Sequence, residues 1–191
     1  MVKYQEVEWL DATRKLKKIR RGRKFGIEKV NGERIGRIKY DDISQFVDGV
    51  AVVWYRRFRF SKFLMGIITE DGREVFFGRN CRKIIIRNKN VIAVLLQTSD
   101  DEFSWAIFDS NGVETDTRYS SCPDKFVNGF AKVRKNRGWM FIREKDGQPI
   151  NASVYTSASD FMKNGRAIVT VFGKRLVVDK NGMEYEYVNR D

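Results

Sequence analysis

Apolar residues in this chain fall in short alternating runs between turn signals, with no long helical stripe. In Phe130-Ala131-Lys132-Val133-Arg134 the polarity changes at every residue. That is the period of a half-buried strand. Uninterrupted apolar runs such as Val91–Leu96 are far short of a bilayer-spanning helix. The first residues, Met1 to Trp9, carry no apolar core of a secretory signal. Asp11–Ile19 is the only segment that a weak helical pattern fits.

Three marks recur in phase. The first is an Asn-Gly or Asp-Gly pair at Asn31-Gly32, Asp71-Gly72, Asn111-Gly112, Asp146-Gly147 and Asn181-Gly182, with glycine spacings of 40, 40, 35 and 35. Such pairs between apolar runs predict two-residue hairpins of type I′, in which both central residues need positive φ. The second mark follows 17 or 18 residues later. It reads Phe46-x-x-Gly49-x-Ala51-x-Val53, Phe126-x-x-Gly129-x-Ala131-x-Val133 and Phe161-x-x-x-Gly165-x-Ala167-x-Val169, with a weaker form at Asn90-x-Ile92-Ala93-Val94. The third precedes each turn glycine by seven or eight residues. It reads Phe25-Gly26-Ile27, Met65-Gly66-Ile67, Trp105-Ala106-Ile107, Trp139-Met140-Phe141 and Arg175-Leu176-Val177.

The expected fold is therefore all-β, a five-unit β-hairpin repeat in one domain over residues 1–191. The units run over about 10–46, 47–85, 86–125, 126–160 and 161–188. The chain opens on an Ala-x-Val-type strand at Leu16–Ile19 and ends on a hairpin lacking one. That offset would let first and last units pair into a closed propeller-like ring, removing exposed sheet edges. The alternative is an open curved β-solenoid with end units as caps.

The marks resemble the WG-repeat (KWG) proteins of bacteria. Lys24-Phe25-Gly26-Ile27, Asn31-Gly32, Tyr40-Asp41-Asp42 and Phe46-Val47-Asp48-Gly49-Val50-Ala51-Val52 match one unit almost throughout. Trp139, Asp146-Gly147, Tyr155 and Phe161 to Val169 match another, with Met140 where that family has glycine. The resemblance covers residues 24–187. It departs from the family in lacking an intact Trp-Gly pair, in a second unit without its Phe and Gly, in Arg175 at an aromatic position, and in having only two prolines. It implies a binding or interaction role with no common ligand.

Composition narrows the chemistry. There is no histidine, and Cys81 and Cys122 are the only cysteines. A His-dependent hydrolase, a structural zinc site and a disulfide scaffold are all disfavoured. We expect no catalytic set, cofactor or metal, a reduced cytoplasmic setting, and two buried free thiols. Trp9, Trp105 and Trp139 are expected as core anchors. Asp41-Asp42 and Asp100-Asp101-Glu102 are adjacent carboxylates, but neighbours on a strand point to opposite faces. A carboxylate hydrolase or lyase is thus the weakest functional reading.

Charge is the stronger lead. Lys and Arg number 37 against 25 Asp and Glu, a net +12. Arg14, Lys15, Lys17, Lys18, Arg20, Arg21, Arg23 and Lys24 form one basic run. It reads either as a polyanion contact or as a solvated strand that discourages edge pairing. An insertion at Trp54–Phe63 interleaves Arg56, Arg57, Phe58, Arg59, Phe60 and Lys62. It reads as a base-stacking surface or as plain strand alternation. In the repeat, the loops from each Ala-x-Val strand to the next aromatic strand should share one rim. They are Arg20–Lys24, Trp54–Phe63, Gln97–Ser104, Arg134–Gly138 and Phe172–Lys174. Four are basic, the last three residues of interest being Arg134, Lys135 and Arg137, and the third is acidic. The expected function is a non-catalytic module docking an acidic macromolecule, protein or nucleic acid and not a membrane, through this rim. The alternative is sequence-nonspecific nucleic-acid binding by the basic strand and the insertion.

Overall fold

The computed structural model describes residues 5–58 and 61–188. These residues form five antiparallel sheets and no α-helix. The first sheet holds β1 (Gln5–Trp9), β2 (Leu16–Arg21), β3 (Lys24–Lys29) and β4 (Arg34–Tyr40). The second holds β5 (Asp42–Ile43), β6 (Val50–Tyr55), β7 (Leu64–Thr69) and β8 (Glu74–Phe76). The third holds β9 (Cys81–Asn88), β10 (Val91–Gln97) and β11 (Phe103–Phe108). The fourth holds β12 (Phe130–Lys135) and β13 (Gly138–Arg143). The fifth holds β14 (Ser157–Ala158), β15 (Arg166–Val171), β16 (Lys174–Asp179) and β17 (Glu184–Glu186). Single bridges at Trp105–Tyr119 and Trp139–Tyr155 complete the outer ribbons of the third and fourth sheets. Each sheet is thus a meander of consecutive segments. Its boundary falls just after Tyr40, Phe77, Tyr119 or Tyr155, a few residues before the unit bounds read from the sequence.

The weak helical pattern at Asp11–Ile19 is a turn followed by β2. Asp11 accepts backbone hydrogen bonds from Lys15 and Leu16 at 2.9 and 2.7 Å, and Arg14 takes φ of 55° to close the turn. The Asn/Asp-Gly turns also differ from the type I′ expectation. In Asn31-Gly32 only the glycine has positive φ, with Gly32 N–H bonded to Lys29 O and Lys29 N–H to Glu33 O. The same pattern holds at Gly72, Gly112 and Gly182. These are three-residue loops, type I turns closed by a left-handed residue, in which only that residue needs glycine. Both-positive turns occur instead at Asp48-Gly49, Asn128-Gly129 and Phe172-Gly173.

Alternation along the Ala-x-Val strand ties each sheet to both neighbours. Ala51 and Val53 face back into a core shared with Ile27, Ile35 and Tyr40 of the first sheet. The residue between them, Val52, faces forward and joins Ile67 against Ile92, Val94 and Phe108 of the third. Ala93 and Ile107 face forward onto Ala131, Val133, Met140 and Ile142. Phe141 meets Ala167, Val169 and Val178 of the fifth. Five sheets thus share four cores among the described residues, each built from consecutive sheets. In the fifth sheet the forward row is Ile168, Val177 and Tyr185, and no buried cluster covers it.

Lys18 occupies the forward-facing middle position in β2, and this changes the reading of the basic run. It is only 6% exposed. Its ammonium reaches Asp42 at 2.6 Å, Glu8 at 3.0 Å and the Ile43 carbonyl at 3.1 Å. Burial would lower its pKa, but the two carboxylates outweigh this and raise it. Lys132, at the same position in β12, meets Asp160 at 2.9 Å. Both lysines tie neighbouring sheets and are not free for a ligand.

A second tie runs between sheets on hydroxyls. Tyr40 is fully buried and donates to Glu74 at 2.7 Å, and Tyr155 donates to Glu184 at 2.8 Å. Each glutamate lies two residues after the turn glycine of the next sheet. Burial and the adjacent carboxylate push the Tyr40 phenol far up, and burial first of all pushes that of Tyr155 to about 12. The equivalent Tyr119 has Pro149 at that place in the next sheet. Its buried hydroxyl has no partner at hydrogen-bonding geometry, and burial pushes its pKa up to about 12. In the remaining step Phe77 has no hydroxyl, and Glu114 turns instead to Arg118 at 2.6 Å.

Strand pairing also explains the glycine of the third mark. A Cβ on Gly66 would stand 2.5 Å from the Val75 carbonyl oxygen and 2.7 Å from the Phe76 ring. Gly66→Ala should therefore cost about 1–3 kcal/mol through overpacking, read as a lower urea midpoint. Tyr40→Phe, which removes a bond to a carboxylate, should lose about 1.5–3 kcal/mol in the same assay, whereas Tyr119→Phe should be neutral or stabilising because its hydroxyl has no partner at hydrogen-bonding geometry.

Candidate functional site

The Asn/Asp-Gly turns gather at one end of the stack. Arg73 hydrogen-bonds Asn111, Lys89 N–H bonds Asp48 at 3.0 Å, and Asn88 bonds the Glu144 carbonyl at 3.1 Å. A Cβ on Gly182 would strike the Ile150 carbonyl, and Val30 and Asn31 line a cleft with Glu70 and Asp71. In every hairpin the connector from the Ala-x-Val strand lies at the opposite end of the same strands. The five connectors therefore share the other rim.

On this rim the predicted residues divide into two groups. Lys24 and Arg56 are internal ties. Both bind Asp41, at 2.8 and 3.1 Å, and Arg56 also stacks on Phe63 at 4.1 Å. Burial would raise the Asp41 pKa, but hydrogen bonds from Lys24 and Arg56 hold it below the ordinary carboxylate value. Arg20 bonds Gln5, and Arg134 covers the Trp139 ring at 4.6 Å. The second group, Arg21, Arg23, Arg57, Lys62, Lys135 and Arg137, has no carboxylate partner among the described residues. All but the half-buried Lys135 are exposed. Arg57 lies over Phe58 at 5.4 Å. Arg59 and Phe60 lie outside the described residues.

The third connector, Thr98 to Glu102, is exposed and carries Asp100, Asp101 and Glu102 between the basic pairs. A shallow cleft of about 380 Å³ lies between the first two connectors, lined by Arg23, Asp41, Asp42, Trp54, Arg56 and Phe63. Asp41 and Asp42 are occupied there by cations and do not converge on free space. Cys81 and Cys122 are free thiols, buried and half-buried, with pKa values raised by burial. Trp105 and Trp139 pack against the cores, but Trp9 does not; its ring is exposed under Lys17 at 5.2 Å.

Of the exposed phenylalanines, the sequence pointed to Phe58 in the insertion but not to Phe103 or Phe172. Phe58, Phe63, Phe103 and Phe172 are the exposed phenylalanines among the described residues, and all four sit in or beside connectors. Phe172 is 96% exposed and has φ of 47°. A bulky residue in the left-handed region costs about 1–2 kcal/mol, and this ring recovers none of it by packing. The available signal was a phenylalanine where a two-residue hairpin favours Asn or Gly.

No family model matches the chain, and no curated protein matches it in sequence. Among solved structures it is similar in backbone to a crystal structure of a eukaryotic initiation factor, with TM-score 0.49 and 9% identity over 95% of this chain and 52% of that one. It is similar to a putative TolB from Agrobacterium tumefaciens, with TM-score 0.36 and 12% identity over 91% and 76%. It is also similar to Kluyveromyces lactis Hsv2, with TM-score 0.36 and 15% identity over 96% and 64%. The chain spans about half the length of the initiation-factor chain. These likenesses concern the backbone alone and assign no activity.

Asp41 gives the site a pH test. Its depressed pKa means that its stabilisation is present above the ordinary aspartate value of 3.8 and is lost as pH falls through the folded value. Asp41→Asn should lose about 1–3 kcal/mol at pH 7, and the gap between its urea midpoint and that of the parent should narrow as the pH is lowered below the ordinary aspartate value of 3.8.

Proposed function

We propose that this chain is a non-catalytic docking module that takes an acidic macromolecular partner through the connector rim. The observation that carries it is the coincidence, on one end, of the exposed phenylalanines with cations that have no carboxylate partner. Unpaired cations attract a polyanion over several ångströms, and exposed rings supply apolar contact once it arrives. Four shared cores for five sheets support the open array over the closed ring. The recurring marks, together with the tight fit at Gly66, support kinship with WG-repeat proteins. Two unbridged thiols support a reducing compartment such as the cytoplasm. Among the described residues no helix is long and apolar enough to cross a membrane.

Retention on a heparin column separates a local site from net charge. Arg21, Arg23, Arg57 and Arg137 changed together to Glu should elute at clearly lower salt than the parent. The same change at Lys89, Lys145, Lys163 and Lys180 of the turn end should shift elution far less. Equal shifts from both sets would end the rim reading.

A further inference from the structure

We infer that the partner is a single-stranded nucleic acid, with the Phe172 and Phe58 rings as stacking platforms for unpaired bases. The inference rests on the docking reading of the rim and adds the ligand class. The surroundings of the two rings carry it. Anchors of a protein interface sit in a well-packed apolar patch closed off from water. Phe172 has no such patch, because it projects from the tip of a hairpin beside Gly173 and the exposed Lys174 and Arg175. Phe58 stands with Arg57 and Lys62, both exposed, and with Ser61, which bonds its backbone. An exposed flat ring beside cations, as at Phe172 and at Phe58 with Arg57 over one face of the ring, meets the two demands of a single strand, a face for the base and a counter-charge for the phosphate. Duplex DNA offers the charge but keeps its bases stacked inside. An acidic protein offers the charge but no flat faces in series.

The φ of Phe172 adds to this. Asn or Gly would hold the same turn without strain, so the ring stands there at a local backbone cost and outside any core. Phe103 is the internal contrast. It is also exposed, but it follows Asp100, Asp101 and Glu102, which repel phosphate. The strand is therefore expected to contact the rim on either side of the third connector and not at it.

The test is fluorescence anisotropy of the whole chain with a labelled 20-nucleotide mixed-sequence DNA strand, its duplex, and polyglutamate of matched charge. The single strand should bind most tightly, with affinity falling steeply as salt rises. Phe172→Asn, which suits the left-handed turn, and Phe58→Ala should each weaken single-strand binding about fivefold or more while leaving the salt slope unchanged. Phe172→Trp should retain binding, and Phe103→Ala should have no effect. Thermal melts of each variant establish that it is folded. Tighter binding to polyglutamate, or equal affinity for strand and duplex with Phe172→Asn silent, overturns the nucleic-acid inference while leaving the heparin result standing. Loss of rim dependence on heparin overturns both.

Discussion

The architecture depends on the alternation of side chains along each Ala-x-Val strand. The alanine and valine face back onto the preceding sheet, and the residue between them faces forward onto the next. Because a strand has two faces, one segment serves two cores, and a chain of 191 residues can build four of them from short hairpins. The same rule fixes orientation. Sheets joined face to face in one register keep their turns at one end and their connectors at the other, so surface chemistry placed in the connectors becomes additive. Among the described residues each core joins consecutive sheets, and where contacts are that local stability becomes a sum of units and nearest-neighbour interfaces.

Polar ties refine that apolar frame. Lys18 and Lys132 occupy forward positions that are apolar in Val52 and Ala93, and each pairs with an acid supplied by the next sheet. The tyrosine hydroxyls at two sheet junctions find glutamates two residues beyond a turn glycine, while a third is left with proline opposite. These ties add little apolar area, but they distinguish one junction from another.

Much of this was legible in the sequence. Five units, their turn marks, the strand faces and the acidic third connector all follow from periodicity and glycine placement. The type of the Asn/Asp-Gly turns was not legible, because it depends on how many residues separate paired positions, and only strand register fixes that number. Lys18 read as one more cation in a basic run, since nothing local shows that Asp42, 24 residues later, will cover it. Lys24 and Arg56 were read as ligand contacts for the same reason, with Asp41 supplying their partner. Trp9 was expected in a core and lies exposed, because composition tells size and not which face a terminal strand presents. Phe172 stands among the residues of the fifth connector, and only the strand register puts it in an exposed, left-handed turn.

Two features of the connector end, unpaired cations and isolated rings, have meaning only if that end is the working surface. Amide hydrogen exchange with and without the 20-nucleotide strand addresses this directly. The account requires slowed exchange in the first, second, fourth and fifth connectors, with the turns at Gly32, Gly72, Gly112 and Gly182 unchanged. Protection concentrated at those turns, or spread evenly over both ends, would contradict it.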